Sequence, residues 1–325
     1  MGLVFTERRL GGVRFVGHDG GTMSFFSVLV VSPERGLGVF VSYDGAAGQA
    51  LSDLFQAFTR RYLPARPADT TVFTARPGVT GAIAGVYQNN RRADSTIARL
   101  SALTSELLIR PAGDAKITIH SAAWPFGVGR SLQQEGELLF RGANGSEIAF
   151  EQDSKRAMRF NIGAAQQWQR VPWYLDIRIV GPAVIASVLV NILTVVSWPI
   201  AAIIRRWRGR RWGESVWARR CHLTARLILI LQLAVIVAVC TMYIAATLNP
   251  TILSDGFDPA LVALYACAWL GIFGSLIVLW IAWQFGRKRM GAQWARIHHI
   301  LIAASSVILA WFFLNWHIAG TTLNY

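Results

Sequence analysis

Residues 260–284 read ALVALYACAWLGIFGSLIVLWIAWQ, and this stretch contains no charged side chain. A helix needs about 20 apolar residues to cross the roughly 30 Å hydrocarbon core of a bilayer. Three more stretches are similarly long and apolar, and none shows the polar stripe of a helix buried in a soluble protein. The sequence therefore predicts four transmembrane helices, at residues 179–204, 227–248, 260–284 and 297–318.

The distribution of charge predicts how these helices are oriented. Residues 1–178 hold 20 Lys and Arg against 15 Asp and Glu, a net +5, whereas residues 179–325 hold 12 against 3, a net +9. The second excess lies in two loops, at 205–220 and 285–296. Basic loops stay on the cytoplasmic side, so membrane topology explains this charge and nucleic acid is not expected as a partner. We predict a protein of the cytoplasmic (inner) membrane of a bacterial-type cell envelope, with residues 1–178 and the C-terminus outside.

Several polar residues lie in or near the predicted spans and raise the hypothesis of a membrane redox protein, because polar groups in hydrocarbon are costly and often functional. A haem site needs two histidines at matching depth on two helices, and no such pair is recognisable. We therefore favour anchoring and helix packing, and expect neither a cofactor nor a metal. The residues concerned are Asn191, Gln232, His298, His299, Asn315 and His317.

The middle of the chain predicts a small all-β domain. A Pro-rich linker at 65–79 is followed by short alternating runs, with the turn signals Gly113-Asp114, Asn144-Gly145 and Asp153-Ser154-Lys155 at hairpin spacing. This pattern predicts an antiparallel barrel or sandwich at 80–170.

The opening segment, residues 1–64, predicts four strands and one helix. The strand runs are GLVFTE, VRFVGH, SFFSVLVV and GLGVFVSYD, and a helix with one apolar face follows at about 47–62. A continuous run such as FFSVLVV is typical of a central strand covered on both faces. The segment is too small to bury a core alone and is expected to be one side of something larger. Its cluster of polar and small residues is a predicted turn, His18-Asp19-Gly20-Gly21.

Residues 17–44, GHDGGTMSFFSVLVVSPERGLGVFVSYD, resemble the last sheet strands of the serine beta-lactamase superfamily. The nearest branch comprises class C beta-lactamases, penicillin-binding D-alanyl-D-alanine peptidases and related esterases. That family ends its catalytic domain with a Lys-Thr-Gly or His-x-Gly turn on a core strand, a hairpin with a Pro-containing turn, and a C-terminal helix. His18-Asp19-Gly20 matches the His-x-Gly form, and the resemblance covers residues 1–64.

The resemblance implies a fold and a set of site residues. The fold is an α+β fragment at 1–64. The barrel-like domain predicted at 80–170 and the four-helix membrane domain predicted at 171–325 are similar to the C-terminal extensions of membrane-bound members. The backbone N–H of Gly21 would supply an oxyanion-hole donor, which can be worth about 3 kcal/mol in the transition state. Gly20 would let a substrate approach the strand backbone. His18 would donate a hydrogen bond or assist proton transfer, with Asp19 fixing its tautomer; alternatively, His18 is simply a turn residue.

The nucleophile that the resemblance requires is absent from this sequence. The family uses the serine of Ser-x-x-Lys, and the residues three positions before Lys116, Lys155 and Lys288 are Gly113, Gln152 and Phe285. We therefore expect a C-terminal portion of a membrane-bound serine hydrolase, truncated before its nucleophile and inactive as written. The absence of a basic start and apolar run in residues 1–20 agrees with that expectation. The full-length parent would hydrolyse a beta-lactam, a peptidoglycan-type peptide or an ester through an acyl-serine.

The alternative is a non-enzymatic membrane protein whose extracytoplasmic β domain binds a ligand or partner.

Tyr87-Gln88-Asn89 matches the family's catalytic Tyr-x-Asn, but its place in an entry strand after Gly85 favours coincidence.

Overall fold

The computed structural model describes residues 5–10, 13–21, 25–44, 48–63, 73–74, 76–124, 129–143, 147–152, 158–162, 166–209, 215–249, 252, 254–288 and 293–323. Internal contacts divide the chain into two units. One comprises residues 1–91, 107–120 and 126–170, and the other comprises residues 92–106, 121–125 and 171–325. Most of the predicted linker and the turns at 144–145 and 153–155 lie outside the described residues.

The first unit begins with a four-stranded antiparallel sheet whose strand order follows the sequence. The helix and the second, third and fourth strands are present as predicted, with small shifts at their ends. The first strand, predicted at residues 2–7, instead runs from Thr6 to Leu10, and residues 2–4 lie outside the described residues. The elements are β1 Thr6–Leu10, β2 Val13–Gly21, β3 Phe25–Ser32, β4 Leu37–Asp44 and helix α1 Gly48–Tyr62.

One face of this sheet forms a core with α1. Phe15, Val28 and Val30 are buried on the sheet and pack with Phe55 of the helix. On the other face lie the exposed side chains that we call the outer sheet face: Phe25, Leu29, Val31 and Phe40, of which Phe40 is 67% exposed. β3 is interior to the sheet as predicted, but the prediction that it is covered on both faces is wrong for the described residues. Its side chains alternate between faces, so only every second one meets α1.

The rest of the first unit is a closed eight-stranded barrel in which each strand pairs with its neighbours in sequence and the last strand pairs with the first. It confirms the barrel predicted between residues 80 and 170. Its interior is filled by aromatic and branched side chains, including Tyr87, Phe140, Phe150, Phe160 and Trp168. A short helix, α2 Val79–Ile83, precedes the strands β5 Gly85–Asn89, β6 Leu107–Pro111, β7 Lys116–Ser121, β8 Arg130–Gln134, β9 Leu139–Gly142, β10 Glu147–Gln152, β11 Met158–Ile162 and β12 Gln166–Arg170.

Tyr87 is expected to make the barrel less stable as the pH becomes alkaline. Its hydroxyl donates to the Ile83 carbonyl at 2.7 Å. Burial raises the pKa of Tyr87 from 10.0 to about 12, and the nearby Arg170 charge lowers this pKa by a smaller amount. As pH rises, the Tyr87 hydroxyl ionises in the unfolded chain before it ionises in the folded barrel. The contribution of Tyr87 to the free energy of unfolding is therefore complete below pH 10 and is lost as pH rises through 12, a change of about 2.7 kcal/mol. Urea unfolding followed by circular dichroism between pH 9 and 12 should show this loss, and Tyr87→Phe should remove it. Parallel pH profiles for the two proteins would contradict the assignment.

The second unit includes a segment that interrupts the barrel sequence. Residues 92–106, which contain the short helix α3 Ser101–Thr104, pack Ile97, Leu100 and Leu103 against the long helices. The carboxylate of Glu106, fully buried, accepts a hydrogen bond from the Ile177 N–H at 3.1 Å, at the start of the first long helix. An acid at a helix N-terminus satisfies an unpaired donor and complements the helix dipole.

Four helices of the second unit are long and apolar enough to cross a membrane, as predicted. They form a bundle in which the third helix packs against the second and the fourth, and the first helix also packs against the second and the fourth. The second helix begins 11 residues before the predicted span because the Ser215 side chain caps it by accepting from the Ala218 N–H. The bounds are α4 Ile177–Trp207, α5 Val216–Leu248, α6 Asp258–Arg287 and α7 Gln293–Asn315.

The last helix ends three residues before the predicted boundary at 318. His317 has φ 51°, and the N–H of Ile318 donates to the Phe313 carbonyl at 2.9 Å. The His317 N–H donates to the Leu314 carbonyl at 3.3 Å. This pair of bonds around a left-handed residue is the Schellman termination of a helix. Hydrophobicity continues through Trp316 and Ile318, which is why the sequence pattern overran the helix.

Candidate functional site

The His18–Gly21 cluster lies in the second half of β2. His18 pairs with Leu29, Asp19 with Val28, Gly20 with Ser27 and Gly21 with Phe26. The prediction of a turn is therefore wrong: the residues are extended strand, because β3 continues alongside them as far as Phe26.

His18 is exposed, and the strand register places it beside the outer sheet face. Its cross-strand neighbour is Leu29, which is itself paired with Phe40 on β4. An imidazole here can exchange a proton or a hydrogen bond with a molecule lying over the face. Successive strand residues point to opposite faces, an arrangement that does not favour the predicted contact between Asp19 and the His18 ring.

The glycines of β2 differ in what the fold demands of them. At Gly20 an added Cβ would lie 3.5 Å from Ser27 Oγ, an ordinary contact, and at Gly21 it would lie 3.1 Å from the Phe26 ring. At Gly17 an added Cβ would overlap the Leu29 carbonyl oxygen and lie 2.7 Å from the Val30 Cα. Packing therefore requires glycine at position 17 but leaves room for a methyl group at position 20.

Serine side chains lie beside Gly20 and were not singled out from the sequence. Ser27 pairs with Gly20 across the β2–β3 ladder, and Ser42 pairs with Ser27 across the β3–β4 ladder. Neither is followed three residues later by lysine. They give the site hydroxyl groups but do not supply the Ser-x-x-Lys arrangement.

The Tyr87-Gln88-Asn89 tripeptide has structural roles in the barrel. Tyr87 is fully buried in the aromatic core, and Gln88 is buried. Asn89 accepts a hydrogen bond from the Arg91 N–H at 2.8 Å through its side-chain oxygen. These positions agree with the interpretation of the tripeptide as a coincidental match.

Polar residues inside the helical bundle join its helices. Gln232 of α5 donates to the Gly271 carbonyl of α6 at 3.2 Å and to the Ser306 carbonyl of α7 at 3.1 Å. Ser305 of α7 donates to the Asn191 side-chain oxygen of α4 at 2.7 Å. Interhelical hydrogen bonds of this kind stabilise helix association in lipid, and they support the packing role expected for Asn191 and Gln232. Asn315 donates to the Trp311 carbonyl of its own helix at 3.0 Å.

The expectation that no histidines meet between two helices is wrong. His222 of α5 and His299 of α7 stack with ring centroids 5.0 Å apart, and Phe285 lies 4.2 Å from the His299 ring. His222 lies outside the predicted span at 227–248, whereas α5 begins at Val216, so hydropathy does not indicate this residue. Within the described part of the chain, no group of three or more His, Cys, Asp or Glu residues could hold a metal ion.

These features define a class of protein: a chain with four helices long and apolar enough to span a membrane, an antiparallel β-barrel, and a four-stranded sheet that carries a His-Asp-Gly-Gly strand. No family model matches the chain, and no curated protein matches it.

Proposed function

We propose that the sheet and α1 are the C-terminal part of a serine hydrolase domain of the beta-lactamase superfamily, held at the cytoplasmic membrane by the four long helices. The observation that carries the proposal is the His-Asp-Gly-Gly strand beside the outer sheet face. Its Gly20 is exposed and has room for a side chain, so packing alone does not account for glycine there. A substrate lying along the strand would account for it, because a glycine allows close backbone approach.

The resemblance gives each residue of this strand a role in acyl transfer. The Gly21 N–H would stabilise the oxyanion that develops at the scissile carbonyl, and His18 would donate a hydrogen bond or assist proton transfer. The substrate class is a beta-lactam, a peptidoglycan-type peptide or an ester, attacked by a serine of the full-length parent. No Ser-x-x-Lys occurs in these 325 residues, so the chain itself is proposed to be inactive.

The proposed topology follows from the basic loops. With loops 205–220 and 285–296 in the cytoplasm, residues 1–178 and the C-terminus lie outside, which is where a cell-wall or beta-lactam substrate would be.

Two measurements test the proposal. The DNA in frame upstream of the Met1 codon should encode Ser-x-x-Lys followed by Tyr-x-Asn. The purified 325-residue chain should show no covalent labelling by a fluorescent penicillin or a fluorophosphonate, with an active penicillin-binding protein as the positive control. An in-frame stop codon just upstream of the Met1 codon, together with a ribosome-binding site, would overturn the family assignment. A label on this chain that survives denaturation would overturn the proposed inactivity.

A non-enzymatic partner-binding protein is the second candidate. The outer sheet face supports it, because exposed contiguous apolar side chains are typical of interaction surfaces. The barrel favours the partner form of this alternative over the ligand form, because buried apolar side chains fill the described part of its interior. The upstream stop codon described above would favour this candidate.

A further inference from the structure

A polar cavity lies among α4, α5 and α7 of the helical unit. Its volume is about 190 Å³. The lining side chains used below are Trp198, Arg205, His222, Arg226, His298 and His299.

The lining of this cavity suits an anion. Arg205 and Arg226 contribute two fixed positive charges, and none of the described lining residues is acidic. The Arg226 guanidinium lies 4.3 Å from the centre of the Trp198 ring. This cation–π contact restrains a long side chain at the cavity wall, so less entropy is lost when it binds a ligand.

Two buried nitrogen atoms at the cavity lack hydrogen-bond partners within the described part of the chain. His299 is 2% exposed, and its Nδ1 is unpaired. The Nε1 of Trp198 is unpaired as well. Buried polar atoms without a partner are rare and destabilising. Both residues line the cavity, so acceptor oxygens of a bound ligand are suitable partners for the Trp198 N–H and, when His299 carries its proton on Nδ1, for that N–H as well. His298 adds a polar nitrogen, with Nε2 3.5 Å from the Thr194 hydroxyl.

The cavity also lies at the level expected for lipid headgroups. Arg205 is in the last turn of α4, and His222 is the seventh residue of α5. His298 and His299 are the sixth and seventh residues of α7. At 1.5 Å rise per residue, these four positions are within about 10 Å of the helix ends that meet the two basic loops, and Trp198 and Arg226 are within about 15 Å of them. The phosphates of the adjacent lipid leaflet occupy that depth.

We propose that this cavity binds the phosphate group of an anionic phospholipid. The phosphate oxygens accept from Arg205, Arg226, His299 and Trp198, and the glycerol ester extends toward the bilayer. Arginine–phosphate hydrogen bonds are charge-assisted and are therefore the main source of affinity. The inference is independent of the proposed hydrolase, since every residue involved belongs to the helical unit.

The test uses the full chain in nanodiscs of phosphatidylcholine with increasing phosphatidylglycerol, followed by thermal unfolding. Phosphatidylglycerol should raise the midpoint temperature saturably. Arg226→Gln should require about tenfold more of that lipid, because it loses charge-assisted hydrogen bonds. Arg220→Gln is the matched control: it removes the same charge from an exposed site on the same helix that does not line the cavity.

A second arm adds inorganic phosphate to nanodiscs of phosphatidylcholine alone, which separates a lipid headgroup from a free anion. One outcome is that inorganic phosphate raises the midpoint temperature saturably, with a weaker effect in Arg226→Gln. That result would confirm the phosphate site and identify the free anion as an occupant. No saturable effect of either probe would overturn the proposal, as would equal losses in the two arginine variants. If Arg226→Gln does not fold, Arg205→Gln is measured in its place, and an unchanged response in that variant would also overturn the proposal.

Discussion

Phe160→Ala is expected to lower the free energy of unfolding of the barrel by about 3–5 kcal/mol. Phe160 is fully buried, and its ring centroid lies 5.0 Å from Tyr87 and 5.0 Å from Phe150. It also stacks nearly parallel to Trp168 at 6.1 Å. The substitution removes a large apolar side chain and leaves a cavity that neighbours on a closed sheet cannot fill, because the strand ladders hold them apart.

Hydrogen exchange of peptides from β5 to β12 measures this loss separately from the helical unit. Gln166→Ala is the control, since it truncates an exposed side chain on β12, a strand of the same barrel. Exposed substitutions usually change stability by about 0.5 kcal/mol or less. Equal effects of the two variants would mean that the aromatic cluster does not form the barrel core.

The elements that sequence periodicity defines were predictable. Long uncharged runs identified the four apolar helices, and alternating runs between turn signals identified the barrel, because burial on one side of a strand imposes a period of two. The start of α5 was not predictable in this way. Its first turns carry Arg219, Arg220 and His222, and a helix that projects from hydrocarbon into the headgroup region keeps its backbone bonds while its side chains become polar. Hydropathy locates the hydrocarbon boundary rather than the helix boundary, so the cavity at His222 was missed.

The conformation of the His18–Gly21 cluster was not predictable from the sequence. A Gly-Gly pair after His and Asp is typical of a turn, yet β2 continues through Gly21 because β3 pairs with it. Pairing across strands is a tertiary interaction that composition within the segment does not report. For the same reason the sequence does not indicate the importance of Gly17. A single glycine within a strand pattern is not part of a recognisable motif, although packing in the sheet requires glycine more strictly at position 17 than at positions 20 and 21.

Gly17→Ala is therefore expected to destabilise the four-stranded sheet by about 3 kcal/mol or more, at the upper end of what overpacking costs. The added Cβ would overlap a carbonyl oxygen of β3, and backbone atoms in a ladder cannot move aside as a flexible side chain can. Gly38→Ala is the matched control, because its Cβ would lie 3.5 Å from the Val31 Cγ1 in an ordinary contact. Hydrogen exchange of the β2 and β3 peptides should increase strongly in the first variant and little in the second.

The same pair of variants tests whether strand geometry positions the candidate site. The Gly17 contact brings β2 close to β3 immediately before His18, so relieving the clash requires the two strands to separate where His18 pairs with Leu29. The His18 imidazole resonance in Gly17→Ala should shift, whereas Gly38→Ala should leave it unchanged. An unshifted His18 in a destabilised Gly17→Ala protein would show that the close approach stabilises the sheet without positioning the imidazole. In that case the placement of His18 depends on the local conformation of its own strand, and Gly17 has a packing role only.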